Sequence, residues 1–386
     1  MANPRAYLDD NATAPLRPCA RDAVVAALET LGNPSSIHAE GRAARALLEG
    51  ARAAIAAGVG AAPRNLVFTS GATEAANLAL TPHLQSCGET APFERLLVSG
   101  GEHPCVLSGH RFPAGAVELL PLDDDGALSL PALEAALSRN EGRRIVLALQ
   151  AANNETGVVQ PVAEAAARLH AAGGLLVCDA TQAIGRLDAT FVTLDADILF
   201  CSSHKLGGPP GAGALAFRRG DLHIGETLVR GGGQESGRRG GTENIAAIAG
   251  FAAAFREATA TRAEEALRLA GLRDAIERAV LELAPEARII GKGLPRLPNT
   301  SAFLLEGIEA RTLAMALDLE GVAVSAGAAC SSGKTAASHV LAAMGLKDLA
   351  SLRVSLGWRS GPKDVGSFQT ALARVLSRMK SRRNEA

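Results

Sequence analysis

The sequence predicts an α/β fold: a large, doubly wound and mostly parallel sheet, followed by a smaller α+β unit. Three observations carry that expectation. Short apolar runs alternate with Ala/Leu-rich helical stretches between about residues 65 and 217, the mark of repeated βαβ units. The runs are apolar throughout rather than at every second residue, as strands covered on both faces are. Beyond residue 244 the alternation gives way to long helical patterns with a few short extended runs.

In order along the chain, strands are expected at 66–69, 95–98, 117–120, 145–149, 175–178, 198–201 and 214–217, with helices at 73–80, 131–137 and 161–171 between several of them. The glycine-rich stretch 230–242 interrupts the pattern. A helix then starts near 244 and another covers 261–283. Short elements at 289–290 and 301–305, a helix near 311–319, a strand at 352–355 and a last helix over 362–379 follow, with a frayed tail. The expected division places 16–256 in the large domain, and 1–15 with 257–386 in the small one.

The 386 residues suit two or three domains or one large α/β unit. Hydrophobic residues make up 47% and charged ones 20%, the balance of a soluble globular protein, and with only 3% aromatics the core must be mostly Ala, Leu, Val and Ile. A net charge of −1 without a long basic run argues against nucleic acid or an anionic membrane as partner. Residues 1–10 lack the apolar centre of a secretory signal, and the apolar stretch 245–255 is too short to span a bilayer. The six cysteines are scattered and form no CxxC pair, so neither a metal site nor a disulfide framework is expected, and a reducing cytoplasm is the expected compartment.

Six lysines stand against 33 arginines, and the first of them is Lys205, in "CSSHKLGGPPGAG". Where the chain's habit is arginine, a lysine points to chemistry that needs an amine able to lose its proton and attack a carbonyl. The plainer reading is a surface lysine beside a Gly/Pro turn. Ser202, Ser203 and His204 follow an apolar strand directly, which puts them at its C-terminal end, where open α/β sheets bind ligands. The glycines and prolines of 207–213 leave room for a planar cofactor. A second strand end supplies Asp179, in "LLVCDATQAIG", a partner for a pyridinium nitrogen. It also reads as a helix N-cap, with Gln182 in capping-box position. A third strand end, "FTSGATEAANLAL", sets Ser70, Gly71, Ala72 and Thr73 at a helix start that can cradle phosphate. An amine, a carboxylate and an anion cradle at three strand ends point to pyridoxal phosphate.

These segments, with "YLDDNATAPLRP", "GNPSSIHAEGRAAR", "GEHPCVL", "NNETGVVQP", "GGGQESGRRGGTENI", "SAGAACSSG" and "LRVSLGW", resemble in order and spacing the cysteine desulfurases, class V members of the fold-type I pyridoxal-phosphate enzymes. The last cysteine motif resembles the long-loop branch that serves iron–sulfur assembly. The resemblance implies that Lys205 holds the cofactor, Asp179 faces its ring nitrogen, Gln182 bonds the ring hydroxyl, and His103 stacks on the ring and moves protons. It implies a phosphate site from Ala72, Thr73, Ser202 and His204, with Thr242 reaching in from the second subunit of a homodimer. Arg353 would clamp the substrate carboxylate, and Asn154 and Asn33 would orient cofactor or substrate. Taken singly, His103 also reads as a turn residue, Arg353 as an exposed strand residue and Asn33 as an ordinary turn before Pro34. Two departures stand out: the usual Thr-Thr of the N-terminal motif is Thr13-Ala14, and "SSGKTAASHV" with Lys334 replaces the family's small residues after the cysteine.

That cysteine, Cys330, lies among Ala, Gly, Ser and Thr, too little bulk to bury a sulfur. A loop over about 325–337 that moves is expected, with Gly327 and Gly333 easing its backbone. The resemblance gives the thiol a part in the reaction. L-cysteine and an enzyme thiol become L-alanine and a persulfide on Cys330, and the sulfur passes to an acceptor or iron–sulfur scaffold protein. Cys330 could also touch a cluster held by such a partner. The alternatives are a selenocysteine lyase or another class V aminotransferase and, from a different class, a non-catalytic sulfur-assembly scaffold.

Overall fold

The computed structural model describes residues 5–86, 88–327, 338–346, 349 and 351–384, with side chains as far as 379. Cys330 and Lys334 lie outside the described residues. Among the described residues the main sheet has seven strands: Leu66–Thr69, Arg95–Ser99, Val117–Leu120, Ile145–Ala148, Leu175–Asp179, Ile198–Ser202 and Gly213–Phe217. Each lies within one residue of its expected bounds. Their spatial order is 66–69, 213–217, 198–202, 175–179, 145–148, 95–99, 117–120. Only 213–217 runs antiparallel to its neighbours, and the other joins are parallel. The C-terminal ends of the remaining six strands therefore share one edge of the sheet.

The wholly apolar strands are covered on both faces, as their composition requires. Leu176, Cys178, Leu199 and Cys201 pack with helices Ala39–Val59, Leu130–Arg139, Val162–Ala171 and Ile245–Ala260. Leu175, Val177, Ile198 and Phe200 pack on the opposite face, against helix Ala72–Ala79. Val117–Leu120 at the sheet edge is only partly buried. Two helices, Pro18–Leu28 and Ala39–Val59, precede residue 65, where the sequence reading predicts no element. In the second, Ala44, Leu48, Ala51, Ile55 and Val59 are buried at helical spacing, and Gly60 ends it at φ +78°.

The smaller unit pairs Arg288–Ile289, Thr300–Leu304, Leu352–Ser355 and Ser325–Ala326 in that order, antiparallel. Its separate core gathers helices Arg262–Leu283, Ala310–Leu319 and Pro362–Asn384. At its centre the rings of Phe303 and Phe368 meet edge to face with centroids 6.4 Å apart, a favourable aromatic geometry. Ala6 and Leu8 belong to this second core. Ala6–Tyr7 pairs with Val322–Ala323, and Asp9 bridges to Ser355. The chain's first described residues are thus stitched to its last third before residues 11–14 cross to the main sheet's edge.

The glycine-rich segment is pinned by a buried ion pair. Arg52 donates twice to the Glu235 carboxylate at 2.7 Å, and the Phe68 N–H adds a third bond at 2.9 Å. These bonds hold Glu235 and Ser236 at φ +48° and +57°, a region that costs side-chain-bearing residues of order 1 kcal/mol or more. Among the described residues no helix is long and apolar enough to cross a membrane.

Gly213 marks a close approach between the antiparallel strand and the turn after 66–69. A Cβ there would stand 2.6 Å from the Gly71 Cα and 2.8 Å from the Cys201 carbonyl oxygen. Gly213→Ala is expected to cost about 1–3 kcal/mol through overpacking, read as a lower urea midpoint; an unchanged midpoint would mean the turn can yield.

Candidate active site

A cavity of about 860 Å³ opens at the shared edge of the sheet, ample for a cofactor and a small substrate. Five strand ends and the smaller unit furnish its wall. After Leu66–Thr69 the chain turns through Ser70 and Gly71 into helix Ala72–Ala79. The Ser70 N–H donates to Glu74 Oε2 at 2.7 Å. The N–H groups of Ala72 and Thr73 belong to the helix's first turn and have no partner within the helix.

After Arg95–Ser99 comes His103, which caps the short helix Pro104–Leu107. Its Nδ1 accepts the Cys105 N–H at 3.1 Å, so the neutral ring carries its proton on Nε2. Burial, reinforced by the Lys205 and His339 charges, holds the imidazole pKa below 6.5. After Ile145–Ala148, Gln150 and Asn153 donate to the Gly101 carbonyl at 2.6 and 2.9 Å, locking that turn against His103's. Asn154 lines the cavity.

Asp179 ends strand Leu175–Asp179, and its Oδ1 accepts the Thr181 N–H at 2.8 Å. A turn follows, not a helix, so the N-cap reading falls. Burial raises its carboxyl pKa against the bonds from Thr181 and the Lys205 charge. Gln182 is no capping-box partner either: it donates to the Asn11 carbonyl at 3.1 Å and accepts from Arg186 at 3.1 Å.

Ile198–Ser202 leads into a single turn, Ser203–Lys205. Lys205 Nζ donates to the carbonyls of Asn11 at 2.6 Å and Ala12 at 2.8 Å. His204 Nδ1 lies 3.1 Å from Thr13 Oγ1, and burial followed by the Lys205 charge takes its pKa down to about 4. The retained hydroxyl of Thr13 is therefore in use, while the departure at Ala14 falls on a buried position. Of the 207–213 turn only Pro210 and Gly211 face the cavity. A Cβ on Gly207 would stand 2.8 Å from the Pro15 carbonyl oxygen and one on Gly208 2.2 Å from Ser203 Oγ, so their small size serves packing rather than cofactor access.

Arg353 comes from the smaller sheet and is buried rather than exposed. It donates to Asp9 Oδ1 at 2.6 Å and to the Asn154 carbonyl at 2.9 Å, while its buried Nε has no partner among the described residues. A ligand with a phosphate at one end, a cationic ring nitrogen at the other and a carboxylate on its adduct finds a complementary group for each part.

Of the residues singled out in the sequence, Ala72, Thr73, His103, Asn154, Asp179, Gln182, Ser202, His204, Lys205 and Arg353 line this one cavity. Asn33 and Thr242 do not; both are exposed, and Asn33 Oδ1 accepts the Ser35 N–H in a local turn. Sequence reasoning missed Asn11, whose carbonyl seats the amine, and Asp9, Glu155 and His339, which also line the wall. Asp9 and Asn11 sit in the motif "YLDDNATAPLRP", but a role played by a main-chain carbonyl leaves no mark on residue type. The described thiols are poor nucleophiles: burial pushes Cys105 and Cys178 well up, Cys201 to about 12 and Cys19 to about 11. Among the described residues no group of His, Cys, Asp and Glu could hold a metal ion.

Comparison with known proteins bears on the whole chain. The aminotransferase class-V family matches residues 6–368. A cysteine desulfurase of Cereibacter sphaeroides is 42% identical over 88% of this chain and 87% of its own. An IscS-like cysteine desulfurase of Mycobacterium tuberculosis is 37% identical over 97% of this chain and 96% of its own. The X-ray structure of a NifS-like protein from Rickettsia africae superposes with a TM-score of 0.86 at 29% identity, covering 97% of this chain and 99% of that one. With its parallel sheet, its lysine and carboxylate at neighbouring strand ends and these likenesses along nearly its full length, the chain belongs to the class V aminotransferase family, among the cysteine desulfurases.

Proposed function

We propose that this chain is a cytoplasmic, homodimeric cysteine desulfurase that uses pyridoxal 5′-phosphate, with residues 16–256 as the cofactor-binding domain and 1–15 with 257–386 as the smaller one. It converts L-cysteine to L-alanine and leaves a persulfide on Cys330 for an acceptor or iron–sulfur scaffold protein. The convergence of Lys205, Asp179, His103 and the 70–73 turn on one cavity carries this reading, and the relatives' own activity supports the choice of cysteine as substrate.

When bound, the cofactor supplies an electron sink for the pair left at the substrate α-carbon. Lys205, seated by the Asn11 and Ala12 carbonyls, holds it, and the same amine is placed to take the substrate α-proton. Asp179 would provide the counter-charge for the protonated ring nitrogen, and Gln182, on the same wall, would bond the ring hydroxyl. Ala72, Thr73, Ser202 and His204 take the phosphate, His204 as a neutral donor or acceptor. Thr242, exposed on its own chain, would complete that site in a second copy. His103, with its proton on Nε2, lines the cavity and would hold or give a proton there. Arg353 would clamp the substrate carboxylate, beside Asn154.

In the sulfur step the substrate Cβ–S bond breaks and an S–S bond forms at Cys330 Sγ. The electron pair left on the CH2 carbon takes up one proton to complete alanine's methyl group, the attacking thiol having given up its own, so no outside oxidant or reductant is needed.

Lys205→Ala should abolish turnover and leave no borohydride-reducible link to the cofactor; full activity would refute the lysine's role. Cys330→Ser should still take up cofactor but form no persulfide, tested by measuring alanine and sulfide together from cysteine. Unchanged desulfuration would remove Cys330 as acceptor, and consumption of a keto acid in place of sulfur release would favour an aminotransferase. Because the His103 pKa is lowered, its neutral form persists below 6.5, and its protonation on acidification should set the acid limb of kcat/KM below that pH. His103→Gln should erase that limb; a limb that survives belongs to another group.

A further inference from the structure

Glu74 stands where a bound phosphate would least tolerate it. It lies in the first turn of helix Ala72–Ala79 and lines the same cavity as the Ser70–Thr73 turn. A helix N-terminus favours one anion, and a carboxylate placed there competes with a phosphate for the same dipole and the same N–H groups. One carboxylate oxygen is occupied by the Ser70 N–H at 2.7 Å. The other accepts Arg239 Nε at 2.9 Å, with both side chains mostly buried. Arg239 belongs to the glycine-rich segment, two residues beyond the turn that Arg52 and Glu235 pin to strand Leu66–Thr69. That segment is therefore tied to strand Leu66–Thr69 by the Phe68 N–H on Glu235, whose ion pair reaches Arg52 of helix Ala39–Val59, and by a second ion pair to helix Ala72–Ala79, on either side of the anion cradle.

From this geometry we infer that Glu74 and Arg239 form a positioning pair for the cofactor phosphate: Glu74 shapes the Ser70 turn, and Arg239 cancels the negative charge that shaping would otherwise set beside the phosphate. The inference rests on the pyridoxal-phosphate reading and deepens it. It also gives the glycine-rich segment a role within its own chain, apart from Thr242. Burial alone would raise the Glu74 pKa, but the bonds from Arg239 and Ser70 outweigh it and hold the carboxyl below its ordinary range, so the charge to be cancelled is present at neutral pH.

The pair predicts an effect specific to the phosphate. The full chain, freed of cofactor, is titrated with pyridoxal 5′-phosphate and with pyridoxal, which lacks the phosphate. Arg239→Met should weaken uptake of the phosphorylated compound roughly tenfold or more, the scale of one uncompensated charge in a half-buried site, and leave pyridoxal uptake at the wild-type level. Arg239→Lys should stay close to wild type. Glu74→Gln combined with Arg239→Met should recover most of the lost affinity, because the amide still accepts the Ser70 N–H without a charge. Equal weakening toward both compounds, no weakening at all, or no recovery in the double variant would each overturn the inference while leaving the cofactor reading intact. Wild-type protein that takes up neither compound would overturn the cofactor reading and this inference with it.

Discussion

A carboxylate sealed into the end of a parallel strand sets the terms for the whole site. Asp179 sits on a central strand of the main sheet, where its side chain accepts the backbone N–H of Thr181. The Lys205 charge also favours its ionised form, yet burial outweighs both and pushes the acid toward neutrality. A cationic ring nitrogen bound there would reverse that tendency, because the charge it brought would stabilise the ionised acid as the acid stabilised it. The lysine, the histidines and the anion cradle line the same cavity as this acid.

The same burial shapes the neighbouring groups. Glu102, behind the His103 turn, is wholly enclosed, and burial and the Asp179 charge push its carboxyl well up. Of the two acids only Asp179 faces the cavity. His103 and His204 are both driven toward neutrality, so neither adds a cation that would compete with the ring nitrogen. The hydrogen bonds within the wall fix tautomers as well: His103 accepts on Nδ1 while His339 donates from Nε2 to the Glu102 carbonyl at 2.8 Å. Around Asp179 the wall therefore presents His103 and His204 as neutral imidazoles, beside the cationic Lys205 and Arg353.

The main sheet is legible in the sequence because its central strands, buried on both faces, carry few polar positions to blur them; all seven strands, the partly buried edge strand Val117–Leu120 included, stand where the apolar runs predict. The helices before residue 65 escape that reading although Ala44, Leu48, Ile55 and Val59 repeat at helical spacing. Alanine-rich periodicity is faint when small residues fill both the buried and the exposed faces. Within the site, residues that act through their side chains at strand ends can be found, Lys205 because its type breaks the chain's habit and Asp179 because it closes an apolar run. What stays hidden depends on contacts between distant parts of the chain: the carbonyls of Asn11 and Ala12, the pairing of Arg353 with Asp9, and the ion pairs that shape the glycine-rich segment. A carbonyl has no residue type, and a partner more than a hundred positions away leaves no local spacing to read.

The seat of the lysine amine has a consequence for the order in which the molecule matures. Asn11 and Ala12 are held by Ala6–Tyr7 on Val322–Ala323, by the bridge from Asp9 to Ser355 and by a bond from the Asn11 N–H to Ser355 Oγ at 3.0 Å. A polypeptide still leaving the ribosome therefore possesses the lysine, the strand-end acid and the anion cradle long before it possesses the scaffolding that steadies its own beginning. The berth of its reactive nitrogen is complete only once residue 355 has joined the fold.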